Sequence, residues 1–335
     1  MQLHRSKDRA LLRELRADMA QLAAHGGDAI SLYRTPEYLD TYLDTFTDRA
    51  FETYAVSDNG TLQGLAVFAV HDVQGRRVLR FAGEGLWGYT GALHGGDGGE
   101  EMLVPLLSAA LQHSGCHALE IGPLHGDVLP MYLAAVRRLG VAAQAYQIPG
   151  GAPFIDPRGR DRDTWVRSLK KAAWADALRC EKRLGEQGAV TLFKLDNASA
   201  TPAQCQHAMS LFLQMYHRQW PENRFRRDAR WRPFYEAFAL AAAGAGTLEF
   251  SFLALDGRPV AAHYGFLHRG RRYYFTPTYD VDYGRYSPGK ILLRHLIDTS
   301  FEQQVVFDFQ NDLEPYKLDW ATGVADRFLI KLLPH

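Results

Sequence analysis

The sequence predicts an α/β protein with mixed sheets, built as two similar units in each of which helices flank a β-sheet. Three observations carry this reading. The chain has 335 residues, more than one ordinary core and enough for two domains. Strand-period and helix-period segments follow one another in the same order in both halves, related by architecture and not by visible sequence identity. Turn signals fall between apolar runs of strand length, where tight hairpins need them: Asp58-Asn-Gly60 and Gln74-Gly75, then Asp256-Gly257 and Arg269-Gly270.

The elements follow in order. Residues 9–24 read as an amphipathic helix within an N-terminal helical extension over 1–29. The first unit, 30–150, reads as a helix over 36–46 and strands over 52–57, 62–71 and 78–82. A glycine-rich loop, a helix over 101–112, a strand over 118–122, a helix over 128–139 and a strand near 143–148 follow. Gly150-Gly-Ala-Pro153 leads into a connecting segment, 151–190, that continues as a basic helix from Trp165 through Arg183. That helix reads either as a solvated connector or as a basic wall facing an anionic ligand. The second unit, 191–335, reads as helices over 204–220 and 230–243, then strands over 247–255, 259–267 and 271–278. A helix over 290–303, a strand over 305–309, a short helix near 314–320 and a last strand over 327–333 complete it. Each sheet is expected to be antiparallel at its start and parallel around the helix crossover.

Composition narrows the function classes. Apolar residues make up 47% and charged residues 23%, ordinary for a soluble globular chain. Lys plus Arg balance Asp plus Glu at 38 each, so no global charge draws the chain to nucleic acid or an anionic membrane. A basic site must therefore be local. Cys116, Cys180 and Cys205 form no C-x-x-C pattern, which points to a reducing compartment without a disulfide framework or structural zinc. His113 and His117 are four apart but interrupted by Gly115, and no H-E-x-x-H occurs, so no metal is expected. The polar N-terminus has no apolar signal core, and the weakly polar run Ala237 to Leu248 is too short to span a bilayer. A cytoplasmic protein without membrane insertion is expected.

The segment Tyr279-Asp-Val-Asp-Tyr-Gly-Arg-Tyr-Ser-Pro-Gly-Lys290 carries the most chemistry. An aromatic, β-prone run precedes it, and Leu292, Leu293, Leu296, Ile297 and Phe301 share one helical face after it. A glycine-bearing turn that opens a helix gathers backbone N–H groups and the positive end of the helix dipole, suited to a pyrophosphate. Strand, turn, helix and strand in this order can hold an acyl-CoA. An ordinary strand-to-helix connection with a turn proline fits the same residues.

Four motifs then occur in register: Asp256-Gly-Arg-Pro-Val-Ala-Ala-His-Tyr-Gly265, the Tyr-x-x-x-Tyr-Ser-Pro-Gly-Lys turn, Phe307-Asp-Phe309 and Glu314-Pro-Tyr-Lys-x-x-Trp320. This pattern resembles the CelD-like branch of the GNAT acyltransferase superfamily, named after a cellulose-biosynthesis protein and related to the Fem-type aminoacyl-transferases. The resemblance is strongest over about residues 160–333. It implies a tandem GNAT fold whose C-terminal copy holds an acyl-CoA donor, and N-acyl transfer to a small-molecule amine such as an amino acid or amino sugar by direct attack in a ternary complex. The relatives leave two alternatives: an aminoacyl-tRNA donor, or a non-catalytic binding protein with the same fold. Two departures stand out. Ser287 occupies the first glycine of the family's donor loop, and Gln310-Asn-Asp-Leu-Glu314 replaces an Arg-Gly-Asp-Glu loop.

Carried onto this sequence, the donor contacts fall on Thr278, Arg285, Tyr286, Ser287, Gly289 and Lys290. The catalytic candidates are Lys317, to stabilise an oxyanion; Tyr316, to protonate the leaving thiolate; and Asp308 and His263, as bases. Asp308 sits in an apolar strand and needs a partner, so a structural hydrogen-bond role is open for it, as is that of a core histidine for His263. The acceptor candidates are Trp220, Arg224 and Arg226 on a helix–helix loop, with Trp87 and Tyr89 on a glycine-rich loop of the first unit. The first unit's loop at 91–99, with Asp97 in it, Glu100 and Glu101 just after it and no lysine or arginine, should repel a pyrophosphate, so one donor site per chain is expected.

Overall fold

The four hairpin signals close as two-residue turns with positive φ at both positions: Asn59 and Gly60, Gln74 and Gly75, Asp256 and Gly257, Arg269 and Gly270. This mirror-image turn matches the right-handed twist of the strands it joins. The protein is described from a computed structural model over residues 1–24, 31–83, 88–95, 99–169, 173–195 and 197–333. It comprises two units, Met1–Gly151 with Ala325–His335, and Ala152–Val324.

In the first unit the strands are β1 (Gln2–Ser6), β2 (Phe51–Asp58), β3 (Thr61–Val73), β4 (Arg76–Phe81), β5 (Leu93–His94), β6 (Ala118–His125) and β7 (Ala143–Gln147). The order is β1-β2-β3-β4-β6, then the chain's last strand Arg327–Leu332, then β7, with β5 on β3. Among the described residues of this unit only β4 and β6 pair in parallel, from Val78↔Ala118 to Arg80↔Glu120, joined through the helix Gly99–His113. Two differences from the sequence reading arise here. The N-terminus begins with a strand, and the helical period of 9–24 breaks into Ala10–Glu14 and Arg16–Ala23. The last strand does not complete the second copy's sheet; it lies antiparallel between β6 and β7. Its core-facing Ile330 and Leu332 are fully buried there.

The second unit has β8 (Ala152–Ile155), β9 (Val190–Lys194), β10 (Leu248–Leu255), β11 (Arg258–His268), β12 (Arg271–Tyr279), β13 (Val306–Asp308) and β14 (Gly323–Ala325), in the order β14-β8-β13-β12-β11-β10-β9. Both faces of its central strands are covered, so they read as nearly continuous apolar runs. On one face the helix Pro288–Gln303 buries Ile291, Leu292, Leu293, Leu296 and Ile297, with the helix Ala173–Gly185 packed against it through Ala177, Cys180 and Leu184. On the other face Phe212, Tyr235 and Phe238, from helices Pro202–Gln219 and Trp231–Gly244, pack on Phe250, Tyr264 and Phe266. Beneath the first face lies a fully buried Arg272. Its Nε and Nη2 donate to the two oxygens of Glu249 at 2.6 and 2.9 Å, and its Nη1 donates to the Leu296 carbonyl at 3.0 Å. A charge in the core is tolerated only when paired and hydrogen-bonded in this way.

Candidate active site

The parallel pair β12–β13 runs through Arg271↔Val306, Arg272↔Phe307 and Tyr273↔Asp308 and then parts: β13 ends at Asp308 while β12 continues to Tyr279. A bulge lies where they part. The register of β11 on β12 moves from Phe266↔Tyr273 to Tyr264↔Thr276, so Tyr274 and Phe275 together oppose Gly265. A bulge leaves an amide outside the ladder and bends its strand. Here the Phe275 N–H donates to His263 Nε2 at 3.2 Å. The imidazole lies so close to β11 that a Cβ on Gly265 would stand 2.0 Å from His263 Cε1 and 2.4 Å from Nε2. His263 is fully enclosed; burial, with the charge of Arg272 second, lowers its pKa to about 3. It is neutral and accepts a hydrogen bond from the sheet. The Tyr274 ring stacks on it, centroids 4.7 Å apart, and packs on Phe307 at 5.4 Å and Phe309 at 5.7 Å.

From the end of β12 the chain enters a short turn, Val281–Tyr286, and then the helix Pro288–Gln303. Buried Asp280 pins that turn by accepting from Arg218 at 2.8 Å, Arg258 at 2.7 Å and the Asp282 N–H at 3.2 Å. The Thr278 hydroxyl and the Tyr279 N–H both donate to Gln219 Oε1, at 2.9 and 3.2 Å. The left-handed backbone position falls on Ser287, φ 52° and ψ 52°, and its side chain caps nothing. Lys290 and Ile291 N–H bond to the Ser287 carbonyl at 3.0 and 3.3 Å, and Pro288 has no N–H, so the Gly289 amide stands at the helix start. Gly289 itself needs no special conformation; a Cβ there would meet Tyr279 Cδ1 at an ordinary 3.5 Å. Around this turn Arg285 lies over the Tyr286 ring at 4.8 Å, Arg183 lies over the same ring at 5.8 Å, and Lys290 pairs with Asp176. Arg183 and Asp176 come from the basic segment of the sequence, which in this unit is two helices, Arg162–Ser168 and Ala173–Gly185; its residues Lys170 and Lys171 lie outside the described residues.

Asp308 has the partners its burial requires. Oδ2 accepts from Arg271 at 2.9 Å and Oδ1 from the Gln310 N–H at 2.7 Å. Lys317 is buried; its ammonium donates to the carbonyls of Phe309 at 3.1 Å and Asn311 at 2.5 Å, fastening the loop that follows β13. Tyr316, its neighbour, is 39% exposed. Local desolvation first, and Glu314 second, hold the Tyr316 phenol protonated well above its ordinary range. Burial first, and Tyr316 second, likewise hold the Tyr274 phenol protonated well above its ordinary range.

The acceptor candidates lie otherwise. Arg224 turns inward, donating to the Tyr235 hydroxyl at 3.3 Å and lying over the Trp231 ring at 5.3 Å. Arg226 folds back on the Pro221 carbonyl at 3.3 Å, and Trp220 is 53% exposed at the end of its helix. In the first unit Tyr89 is a core side chain, fully buried edge-on to His125 at 5.1 Å, and Trp87 lies outside the described residues, as does Asp97. The sequence reading missed Asp280, Gln219, Arg218 and Arg258, which shape the turn, and Tyr274. Only Gly265, six residues beyond Pro259, hinted at the bulge. Among the described residues no cluster of three or more His, Cys, Asp or Glu could hold a metal, and no helix is long and apolar enough to cross a membrane.

Residues 172–318 match the family model described as an acetyltransferase (GNAT) domain. The protein is similar in structure to FemX, with a TM-score of 0.65 at 11% identity over 100% of this chain and 98% of that one. It is similar to L-PGS from Bacillus licheniformis, with a TM-score of 0.60 at 14% identity over 95% and 90%. It also resembles a tandem GNAT protein from the clavulanic acid biosynthesis pathway, with a TM-score of 0.50 at 14% identity over 98% of each chain. No curated protein matches the sequence. The fold is thus a tandem GNAT-like fold, and the family match supports the GNAT superfamily, whose domain is that of an acyltransferase.

Proposed function

We propose that the protein is an N-acyltransferase that takes its acyl group from acyl-CoA and passes it to a small-molecule amine, by direct attack in a ternary complex. The observation that carries this is the junction of β12 and the helix Pro288–Gln303. An uncapped helix start, flanked by Arg183, Arg285 and Lys290, stands at the end of a strand that parts from its parallel neighbour. The amide dipoles and the three cations suit a pyrophosphate. Beyond Tyr273 the ladder between β12 and β13 stops, and an amide-bearing pantetheine arm can lie along β12 in the place of a strand. Gly289 and Ser287 contribute backbone, Lys290 exchanges Asp176 for phosphate, and Tyr286 supports the two arginines. Thr278 acts through Gln219 as a positioning residue, and so do His263 at the bulge, Asp308 and Lys317 at the loop after β13. The branch of the superfamily is CelD-like in this reading, and the second unit alone holds a donor.

A second reading, an aminoacyl-tRNA donor, is kept because the fold recurs in FemX. Thermal-shift titrations with acetyl-CoA, longer acyl-CoAs and charged tRNA separate the two. The proposal expects a rise in melting temperature with acyl-CoA that the variant Gly289→Val loses. A rise with charged tRNA alone overturns it, and no rise with any of them favours a non-catalytic protein.

A further inference from the structure

We propose that the first unit carries a binding site of its own, for a small organic anion, in a cleft at the opposite end of its sheet from the loop at 91–99. The cleft has a volume of about 360 Å³ and lies where β1 ends, β2 begins, β3 ends and β4 begins. Small-molecule sites span about 300–1,000 Å³, so this one has room for a single anionic head and a short apolar body, and not for the whole of CoA.

Four cations line it, Lys7, Arg9, Arg49 and Arg77, against two carboxylates, Asp8 and Glu52. The wall thus carries two positive charges in excess, in a chain whose charges balance overall. The carboxylates are already engaged. Asp8 Oδ1 accepts from the Ala10 N–H at 2.8 Å and the Ser6 hydroxyl at 3.0 Å. Buried Glu52 accepts from the Tyr54 hydroxyl at 2.5 Å and from Arg5 at 3.3 Å, and Lys7 stands 3.5 Å away. Arg9 is held by Asp44 and the Leu43 carbonyl.

Arg49 and Arg77 have no carboxylate partner among the described residues. Arg49 Nη1 donates to the Tyr42 hydroxyl at 2.6 Å and its guanidinium lies 5.4 Å over the Phe46 ring, which fixes the group in place. Its charge reaches beyond the cleft: burial first, and Arg49 second, lower the pKa of His71 to about 4. Arg77 is exposed, and only its backbone is engaged, its N–H donating to His117 Nδ1 at 3.1 Å. A concave wall with an excess of one sign concentrates counter-ions, and guanidinium forks match the oxygens of a carboxylate or a phosphate. Leu12, Leu43, Phe51 and Val70 complete the lining. The ligand therefore pairs an anionic head with an apolar body, as a phosphate monoester or a carboxylic acid does.

The test is isothermal calorimetry of the full chain at about 150 mM salt, where long-range attraction is screened. The probes are inorganic phosphate, phenyl phosphate, acetate and benzoate. One aromatic anion should bind per chain, about tenfold more tightly than its ring-free counterpart, the effect of burying about 60 Å² of ring. Tighter binding of phenyl phosphate assigns a phosphate ester, and tighter binding of benzoate a carboxylate. Arg77→Ala, at an exposed position that leaves the fold intact, should weaken the binding about tenfold, and Arg49→Gln added to it should weaken it further. Gly289→Val should leave it unchanged, since that residue lies in the second unit's donor turn. No saturable heat from either aromatic anion up to about 10 mM, equal affinity with and without the ring, binding that survives the loss of both arginines, or binding lost in Gly289→Val overturns the inference. None of these results depends on whether the second unit binds CoA.

Discussion

Gly265→Ala tests the bulge that parts β12 from β13. The new Cβ would stand 2.0 Å from His263 Cε1, 2.4 Å from Nε2 and 2.7 Å from the Tyr273 carbonyl oxygen. The ring cannot retreat, because His263 is fully buried and stacked on Tyr274. Overpacking of a filled core costs about 1–3 kcal/mol. Displacing the imidazole also leaves the buried Phe275 N–H without an acceptor, for about 1–3 kcal/mol more. Alanine's smaller unfolded-state entropy returns about 0.4–1 kcal/mol. The sum is a loss of roughly 1–6 kcal/mol, centred on about 3, which in a unit spanning 152–324 lowers its melting temperature by about 6–12 °C. Chemical and thermal unfolding followed by circular dichroism measures it. The clash is with one ring, so Gly265→Ala combined with His263→Ala should lose less than the sum of the two single variants by more than about 1 kcal/mol. A Gly265→Ala protein within about 0.5 kcal/mol of the wild type, or strict additivity in the pair, would refute the geometry argued for this bulge.

Three further outcomes follow from the same contacts. His263 titrates near 3 in the fold and near 6.5 when unfolded, so the unfolded chain takes up the proton first and stability falls as pH drops through that window. Between pH 7 and pH 5 this group should remove about 2 kcal/mol, a slope that denaturant titrations should find missing in His263→Gln. Ser287→Gly relieves a left-handed backbone position at a side chain that caps nothing, and should raise the melting temperature by a few degrees, about 0.5–1 kcal/mol; a lower melting temperature would count against that conformation. Lys317→Ala leaves the Phe309 and Asn311 carbonyls without their donor and should cost about 1–3 kcal/mol in unfolding experiments, with turnover lowered about a hundredfold at nearly constant donor KM once an acceptor is found. An unchanged kcat would confine the lysine to the loop.

Much of this was legible because local rules and tertiary structure agree. Asp58-Asn-Gly60 and Asp256-Gly257 favour positive φ through residues that tolerate it, so the hairpins and the order of strands around them follow from the residues themselves. The strand, turn and helix from Arg271 to Gln303 keep their periods because both faces of that strand are buried. What stayed hidden depends on distant partners. Nothing local to Arg327–Leu332 says that it pairs with β6 and β7, since its apolar alternation would suit either sheet. Short β8 and β9 lie at or near a sheet edge and carry too few residues to show a period. The role of Asp280 needs Arg218 and Arg258, 62 and 22 residues away. His263 and Asp308 stood out as polar residues in apolar strands, but only their contacts separate a proton acceptor in chemistry from a hydrogen-bond acceptor in the sheet. The left-handed position of the donor turn falls on Ser287, two residues before Gly289, where the resembled family's loop has its first glycine.

Where, and how many times, CoA binds decides the placement of the donor site most directly. Isothermal calorimetry of the full chain with CoA should give one molecule per chain. Gly289→Val should lose that binding without a fall in melting temperature, because the turn at 287–290 supplies backbone N–H groups, whereas the first unit's loop at 91–99 has no lysine or arginine and is followed by Glu100 and Glu101. Two molecules per chain, or unchanged affinity in a folded Gly289→Val, would contradict the placement of the donor site.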